Sequence, residues 1–285
     1  MDTVYLNGEW LAKQQAKISI FDRGFLFADG IYEVIPVYHG NPFRLNEHLN
    51  RLQYCLEQIQ LTSPYSSEQW QTIIEQLIER NGGGHMSIYL QVTRGVHDER
   101  DHLYKENITP TVLLMASPLT VAEQPLTSCK ATLLADTRWQ HCDIKSIALL
   151  GNIMLRNQAQ AKGYDEAILH RDGKITEGTT SNVFIVKDGT VYTPPQNNDI
   201  LGGITRDVII ELCHTAGVEI QQQCIHIEQL LAADEVWISS SSREISPVIQ
   251  IDDKIIGHGK VGPISKTLFA EFQHFKRQLL ATKSK

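Results

Sequence analysis

The sequence lacks the features that mark several large classes of protein. None of its 285 residues falls in an apolar stretch of the roughly 18 residues that a membrane-spanning helix needs. It has no long run of lysine or arginine, and its formal net charge is −7, so neither nucleic acid nor an anionic membrane is an expected partner. The first residues form no basic and apolar leader. We therefore expect a cytoplasmic protein whose partners are small molecules.

Cysteine is scarce, and several catalytic motifs are missing. The cysteines are odd in number, widely spaced and without a CxxC motif, so neither a disulfide framework nor a metal site is expected. They are Cys55, Cys129, Cys142, Cys213 and Cys224. Walker A, HExxH and GxSxG patterns are also absent, which argues against a P-loop nucleotidase, a zinc hydrolase and a serine hydrolase. Any chemistry must come from residues scattered along the chain.

What is present is the patterning of an ordinary globular protein. Hydrophobic residues make up 42% of the chain, which is enough for a sizeable core. Asn7 and Gly8 predict the turn of an opening hairpin. Apolar residues at helical spacing predict one helix from about residue 46 and a second after a capping box formed by Ser66 and Gln69. Strands and helices do not alternate strictly, so the predicted fold class is α+β, or mixed α/β.

Two domains are predicted. Pro118 and Pro125 bracket a stretch with neither helical nor strand periodicity, which is typical of a linker. We predict an N-terminal α+β domain over residues 1–118, a linker over 119–125 and a C-terminal domain over 126–285.

Two charged residues stand in settings suited to chemistry. Lys145 precedes an apolar run, and withdrawal of its amine from water would make it a better nucleophile toward carbonyl groups. Glu177 stands in a turn of small residues ahead of an apolar strand at 183–186, where a carboxylate can be pressed against a ligand. Taken singly, a solvated lysine and an exposed turn glutamate are the simpler interpretations.

A third candidate is the glycine pair Gly202-Gly203, which precedes a predicted helix. The free N–H groups and the dipole at a helix start favour an anion such as phosphate. Glycines also occur there simply because they separate a loop from a helix, so both interpretations stay open.

Taken together and in their order, these segments resemble the motifs of the fold-type IV (class IV) pyridoxal-phosphate enzymes. The segments that carry the resemblance are residues 22–33, 48–52, 143–145, 177–182, 202–206 and 244–248. The resemblance covers nearly the whole chain, and it is strongest to the subgroup of aminotransferases that act on D-amino acids. It implies the two-domain fold of that family, with the cofactor lysine in the C-terminal domain.

The resemblance implies pyridoxal 5'-phosphate as the cofactor. Lys145 would hold it as a Schiff base, be displaced by the substrate amine, and carry a proton between the substrate Cα and C4′ of the cofactor. Glu177 would lie against the pyridine nitrogen and keep it protonated, so that the ring acts as an electron sink. These two are the catalytic residues that the resemblance implies.

The resemblance also implies a set of phosphate-binding groups. Arg51 resembles the family's phosphate arginine, and the backbone amides of Ile204 and Thr205 would join it. Hydroxyl groups of Ser240 and Ser241 complete the set. Without the resemblance, Arg51 would be interpreted as part of an ion pair on a helix surface.

Three residues would bind the substrate. Tyr32 resembles the tyrosine beside the cofactor and the substrate carboxylate, although a strand tyrosine is by itself more simply explained by core packing. Arg100 and His102 resemble an Arg-x-His pair that binds the α-carboxylate. In the family this loop reaches the active site of the other subunit, so the resemblance implies a homodimer with shared sites.

The resemblance implies transfer of the amino group of a D-amino acid, such as D-alanine, to 2-oxoglutarate, giving a 2-oxo acid and D-glutamate. The alternatives with the same fold are a branched-chain L-amino acid aminotransferase and an aminodeoxychorismate lyase, in which the Arg-x-His pair is not expected in this form. A third hypothesis is a cofactor-binding protein without turnover. Arg243 departs from the pattern of the subgroup, which leaves the substrate range open.

Overall fold

The computed structural model describes residues 1–120 and 126–281. Its contacts divide the chain into two compact units, Met1–Val121 with Ile144–Ala148, and Ala122–Asp143 with Leu149–Lys285. Residues 121–125, which make up most of the predicted linker, lie outside the described residues. The domain boundaries inferred from the sequence therefore stay a prediction.

The first unit is built on an antiparallel sheet with two long helices. Its elements are β1 (Thr3–Leu6), β2 (Glu9–Ala12), α1 (Arg23–Phe27), β3 (Gly30–Tyr38), β4 (Asn41–Pro42), α2 (Leu45–Gln58), α3 (Ser67–Arg80), β5 (Met86–Thr93) and β6 (Thr111–Pro118). The strand order in the described residues is β2-β1-β6-β5-β3-β4. The predicted hairpin is confirmed, and Asn7 and Gly8 both have the positive φ that its turn requires.

The core of this unit lies between the helices and the sheet. The predicted capping box is present, because Ser66 accepts from Gln69 N–H and the Gln69 side chain accepts from Ser66 N–H. Apolar side chains of α2 and α3 meet inward-facing side chains of the strands. Among the most deeply buried are Leu52, Leu56, Ile74 and Leu77 from the helices and Ile31, Ile35, Ile88 and Leu90 from the strands.

The segment Ile144–Ala148 groups with the first unit, whereas the sequence analysis placed Lys145 in the C-terminal domain. Backbone hydrogen bonds to β3 explain this. Tyr32 N–H donates to the Lys145 carbonyl at 3.0 Å, and Ile147 N–H donates to the Gly30 carbonyl at 3.1 Å. Such pairing joins residues more than a hundred positions apart, and no local pattern in the sequence reveals it.

The second unit contains a mixed sheet. Its elements are β7 (Cys129–Ala135), α4 (Leu150–Ala161), β8 (Glu166–Arg171), β9 (Lys174–Gly178), β10 (Asn182–Lys187), β11 (Thr190–Thr193), α5 (Ile204–Thr215), β12 (Ile220–Gln222), α6 (Ile227–Leu231), β13 (Glu235–Ser240), β14 (Glu244–Ile251), β15 (Lys254–Ile255) and α7 (Pro263–Ala281). Within the described residues the strand order is β12-β11-β10-β13-β14-β7-β8-β9, with β15 beside β14. The predicted α+β, or mixed α/β, class is confirmed.

Glu177 lies in a strand and not in the turn that the sequence suggested. It belongs to β9, which pairs antiparallel with β8 across the turn at Asp172 and Gly173. The small residues of the expected turn, 179–181, follow this strand. Thr176 and Glu177 are polar but buried, so their sequence did not show the alternation by which a strand is usually recognised.

All five cysteines are free thiols, and Cys224 alone among them is exposed. Over the described part of the chain, no helix combines the length and the apolar character that crossing a membrane requires.

Candidate active site

Lys145 lies beside β3 with its amine over an aromatic ring. The Nζ atom is 4.1 Å from the centroid of the Tyr32 ring, a cation–π contact. Tyr32 in turn stacks on Tyr89, with the ring centroids 5.6 Å apart. Burial raises the pKa of Tyr89 to about 12, so this phenol stays neutral. The structure therefore brings the predicted catalytic lysine and the predicted substrate tyrosine together.

A cysteine holds the backbone of the lysine. Lys145 N–H donates to Cys55 Sγ at 3.3 Å, from the buried face of α2. Burial raises the pKa of the Cys55 thiol to about 11, so the sulfur is a neutral acceptor at physiological pH. Sequence analysis missed this residue, because spacing in the chain does not connect it with Lys145.

Arg51 belongs to a buried cluster and not to a surface ion pair. Its Nε and Nη2 donate to the two carboxylate oxygens of Glu33 at 2.7 and 2.8 Å. His48 Nδ1 lies 2.8 Å from Glu33 Oε2. His48 and Arg51 are three residues apart on α2, so they share one face of the helix. The two-pronged contact with Glu33 fixes the direction of the guanidinium.

The charges of this cluster compensate each other. Burial raises the pKa of Glu33, but the charge and the hydrogen bonds of Arg51 outweigh it and hold that pKa well below its usual range. Burial lowers the pKa of Arg51, but the charge of Glu33 and the hydrogen bonds to it raise that pKa above its usual value. Burial also lowers the pKa of His48, so its imidazole is neutral at pH 7. Arg51 therefore keeps a positive charge in the protein interior.

Loss of the Glu33 carboxylate should destabilise the first unit. Glu33→Gln leaves Arg51 buried with a neutral partner, and we expect a loss of about 1–3 kcal/mol in unfolding free energy, measured as a lower urea midpoint of the apoprotein. The matched control is Glu47→Gln, because Glu47 pairs with Arg44 near the surface. The control should change stability by less than about 0.5 kcal/mol. Equal effects of the two substitutions would contradict the account of a buried cluster.

In the second unit, Glu177 is buried among hydrogen-bond donors. Arg138 Nη1 donates to Oε1 at 2.6 Å. Leu201 N–H and Asn182 Nδ2 donate to Oε2 at 3.0 and 3.4 Å. Burial raises the pKa of Glu177, and the charge of Arg138 opposes that rise. The carboxylate is thus fixed in position and receives donors on both oxygens.

Arg138 is a residue that the sequence analysis missed. Its Nε and Nη2 donate to the two oxygens of Asp136 at 3.0 and 2.8 Å, while Nη1 reaches Glu177. Although burial lowers the pKa of Arg138, the hydrogen bonds of Asp136 and the charge of Glu177 raise it above its usual value. The spacing of Asp136 and Arg138, two residues apart, was the available signal.

The start of α5 has the form of an anion site. Gly203 is the N-cap and supplies no side-chain cap, and Ile204 and Thr205 are the first two residues of the helix. A Cβ on Gly203 would collide with Asn182 Oδ1, which explains the glycine. Asn182 also donates to Glu177, so one side chain contacts both the helix start and the carboxylate.

The serine run lies at the end of β13. Ser240 Oγ accepts from Arg243 N–H at 3.2 Å and is 3.4 Å from Ser242 Oγ. Ser241 is the next residue along the chain, in the turn that follows the strand. The Arg243 guanidinium donates to the Asp165 carbonyl at 3.2 Å. The arginine that departs from the family pattern therefore forms a hydrogen bond within the second unit. Phosphate binding by Ser240 and Ser241 stays a prediction.

Arg100 and His102 meet at one aromatic ring of the first unit. The Arg100 guanidinium carbon is 5.0 Å from the centroid of the Phe27 ring, and the His102 ring centroid is 5.3 Å from it. Arg23, which is buried, donates to the carbonyls of Asp101 and His102 at 2.6 and 3.0 Å and so holds the loop. Both predicted side chains are exposed, and their role in binding a carboxylate stays a prediction.

Comparison with known proteins decides which family this arrangement represents. The family model for amino-transferase class IV matches residues 30–251, well over half of the chain. The chain belongs to the class IV aminotransferases. The resemblance recognised in the sequence is thereby confirmed.

Individual relatives of this class IV aminotransferase agree with that membership. It is 38% identical over 276 residues to the D-alanine aminotransferase of Staphylococcus haemolyticus, with 96% of this chain and 98% of the relative covered. It is 39% identical over 272 residues to the D-alanine aminotransferase of Listeria monocytogenes, with 94% of each covered. Among solved structures, the branched-chain amino acid aminotransferase of Escherichia coli matches with a TM-score of 0.88 at 27% identity, covering 96% of this chain and 94% of that one.

Class IV aminotransferases use pyridoxal 5'-phosphate, and the residues of this class IV aminotransferase fit that cofactor. In the first unit, the amine of Lys145 would form the covalent bond, and the largely buried cation of Arg51 would bind phosphate. The second unit offers the buried carboxylate of Glu177 for a protonated ring nitrogen and the uncapped start of α5 for an anion.

Proposed function

We propose that this class IV aminotransferase transfers the amino group of a D-amino acid, such as D-alanine, to 2-oxoglutarate. The observation that carries the proposal is the meeting of Arg100 and His102 at the Phe27 ring. A guanidinium fork and a second donor on one loop suit a single carboxylate, which every α-amino acid and 2-oxo acid has. The identity of 38% and 39% to two D-alanine aminotransferases supports the same choice.

Lys145 has two tasks in this proposal. Its Nζ would hold the cofactor covalently, and as a free amine it would take the proton from the substrate Cα. The bound cofactor supplies a ring that accepts the electron pair left on Cα. The hydrogen bond from Lys145 N–H to Cys55 and that from Tyr32 N–H to the Lys145 carbonyl hold the backbone while the side chain moves.

The remaining residues bind and orient. Glu177 keeps the proton on the cofactor's ring nitrogen, because a buried carboxylate stabilises the positive charge next to it. Arg51, the backbone N–H groups of Ile204 and Thr205, and the hydroxyls of Ser240 and Ser241 would hold the phosphate. Tyr32 would stand beside the substrate carboxylate.

The carboxylate site also explains how one enantiomer is selected. Lys145 acts from one side of the bound substrate, so the Cα hydrogen must point toward its amine. Exchanging the positions of carboxylate and side chain would present the hydrogen of the opposite enantiomer. A carboxylate site fixed at Arg100 and His102 therefore allows only one enantiomer to react, and we propose that this is the D-enantiomer.

The Arg100→Leu variant tests this role. We expect KM for D-alanine and for 2-oxoglutarate to rise by about 10- to 150-fold, since a charge-assisted pair with the carboxylate is lost. Primary amines without a carboxylate should react at the same rate with the variant as with the unsubstituted enzyme. The matched control is Lys105→Leu, which removes an exposed cation from the same loop. Unchanged D-alanine kinetics in Arg100→Leu would remove the residue from substrate binding.

A branched-chain L-amino acid aminotransferase is the second candidate. It is favoured by the fold similarity to the enzymes of Escherichia coli and Thermoproteus uzoniensis, the latter with a TM-score of 0.87 and 95% of this chain and 93% of that one covered. The identity to both is 27%, below the identity to the D-alanine aminotransferases. Steady-state rates with paired D- and L-amino acids separate the two candidates.

We further propose that the chain works as a homodimer in the cytoplasm. Each unit exposes a set of apolar side chains, which suits burial against a second copy. On α4 of the second unit these are Leu150, Ile153 and Met154, and in the first unit they are Ile20, Phe21 and Phe25. The free thiols support a reducing compartment.

The Met154→Glu variant tests the homodimer. A charge on the exposed apolar face of α4 should shift the protein from dimer to monomer in sedimentation velocity at micromolar concentration. Thr62→Glu, at an exposed position of the first unit, is the control and should leave the mass unchanged. A protein that is already monomeric without substitution would contradict the proposal.

A further inference from the structure

Glu177 is surrounded by hydrogen-bond donors, and their number indicates whether its carboxyl group is ionised or protonated. An ionised carboxylate offers about four acceptor positions and no donor. Arg138, Asn182 and Leu201 each donate to it, so roughly one position remains. A proton on Glu177 would occupy that remaining position and would remove the negative charge from beside the Arg138 guanidinium. The arrangement therefore suits a carboxylate that accepts one further hydrogen bond.

The Arg138 guanidinium cannot move away from this carboxylate. Asp136 holds it through two hydrogen bonds, and 5% of the Arg138 side-chain surface is exposed. Asp136 is itself held by the Thr176 hydroxyl at 2.9 Å and by Arg171 at 3.5 Å. A positive charge is thus fixed 2.6 Å from Glu177 Oε1 in a buried setting, where charges interact strongly.

We propose that Arg138 is a positioning residue that keeps Glu177 ionised, so that the proton shared with the cofactor's ring nitrogen stays on the nitrogen. The inference rests on the proposed role of Glu177 beside that nitrogen. The two states differ by one proton, which forms either an N–H bond on the ring or an O–H bond on Glu177. The N–H form leaves the ring positive and able to accept electrons.

The physical cause is the balance between burial and charge. Burial makes Glu177 a stronger base, whereas the Arg138 guanidinium makes it a weaker one. The other titratable groups that act on Glu177 or feel its charge are Asp136, which is ionised and paired with Arg138, and Cys142. Burial raises the pKa of the Cys142 thiol to about 11, so it is neutral. Arg138 is therefore the charge that keeps Glu177 from taking the proton.

The test uses holoenzyme loaded with cofactor labelled with ¹⁵N in the ring, and reads the ¹⁵N chemical shift of the ring nitrogen. In the unsubstituted enzyme we expect the shift of a protonated nitrogen. In Arg138→Gln the preference of the proton for nitrogen should fall by about 10- to 150-fold, and the signal should move toward the unprotonated value. Arg171→Gln is the matched control, because Arg171 contacts Asp136 but donates to Asp199 instead of Glu177. It should keep the signal of the unsubstituted enzyme.

Arg138→Lys separates charge from packing. It keeps the positive charge and loses the planar fork to Asp136, so the nitrogen signal should lie closer to the unsubstituted enzyme than to Arg138→Gln. A ¹⁵N signal of Arg138→Lys at the unprotonated value would overturn the inference. This outcome can be read even if the Arg138→Gln variant does not fold. A fully protonated nitrogen in Arg138→Gln would also overturn the inference.

A double-mutant cycle supplies the kinetic readout. If Arg138 acts through Glu177, adding Arg138→Gln to Glu177→Gln should slow Cα proton removal less than about threefold, although Arg138→Gln alone slows it 10-fold or more. If the rate effects of the two substitutions multiply in the double variant, Arg138 acts independently of Glu177, and the inference is overturned. An unsubstituted enzyme that binds no cofactor would instead defeat the proposed function, so the two failures are distinguishable.

Discussion

The Lys145→Ala variant is expected to transaminate D-alanine at least about 10²- to 10⁴-fold more slowly than the unsubstituted enzyme. This range is what positioned proton transfer alone typically contributes, and the variant also loses the covalent bond to the cofactor. Lys145 is the amine that stands over the Tyr32 ring, with its backbone held by Cys55 and β3. The loss should therefore appear in kcat, while the unfolding midpoint of the apoprotein changes little.

Reduction of the holoenzyme identifies the lysine directly. The purified protein should be yellow, and borohydride should fix the cofactor on Lys145, as read by peptide mapping. Lys174→Ala is the matched control, since Lys174 is exposed at the start of β9 and should have no effect on labelling or turnover. A pyridoxyl group found on Lys162 or Lys174 would show that the catalytic assignment is wrong.

Glu177→Gln should bind the cofactor but remove the Cα proton about 30- to 1000-fold more slowly. An electrostatic contact of this kind typically contributes ~2–4 kcal/mol, and glutamine offers no negative charge to stabilise the protonated ring. Glutamine has nearly the same shape but only one acceptor oxygen, whereas Arg138 and Leu201 N–H donate to different oxygens of Glu177, so one of these two hydrogen bonds is lost. An unfolding midpoint equal to that of the unsubstituted enzyme should show that the deficit is electrostatic and not a result of misfolding.

Single-turnover half-reactions with D-alanine measure this effect without interference from product release. Glu177→Asp keeps the charge on a shorter side chain and should be slowed less than Glu177→Gln. Cofactor affinity, measured by fluorescence, should change less than the rate. A rate in Glu177→Gln equal to that of the unsubstituted enzyme would remove Glu177 from the mechanism.

Elements with strong local signals could be predicted from the sequence. The Asn7-Gly8 hairpin and the Ser66–Gln69 capping box are each specified by residues a few positions apart, and both are present. The β9 strand was missed, because it buries the polar residues Thr176 and Glu177. Burial of polar groups depends on partners such as Arg138, and those partners come from another part of the chain.

The candidate site divides in the same way. Lys145, Glu177 and Arg51 stand in motifs that resemble a family, so the sequence was sufficient to name them. Their partners had no such signal: Glu33 comes to Arg51 from β3, and Cys55 comes to Lys145 from α2. These contacts are long-range pairings of common residue types, and only the folded chain shows them.

The most direct test of the proposed activity is the rate of amino transfer from D-alanine and from L-leucine to 2-oxoglutarate by the purified protein. The two donors should be assayed under the same conditions, with L-valine as a further donor. The account predicts turnover of D-alanine with D-glutamate as the product, and at most slight activity on the L-amino acids. A preference for L-leucine or L-valine would contradict it, and would make the protein a branched-chain aminotransferase.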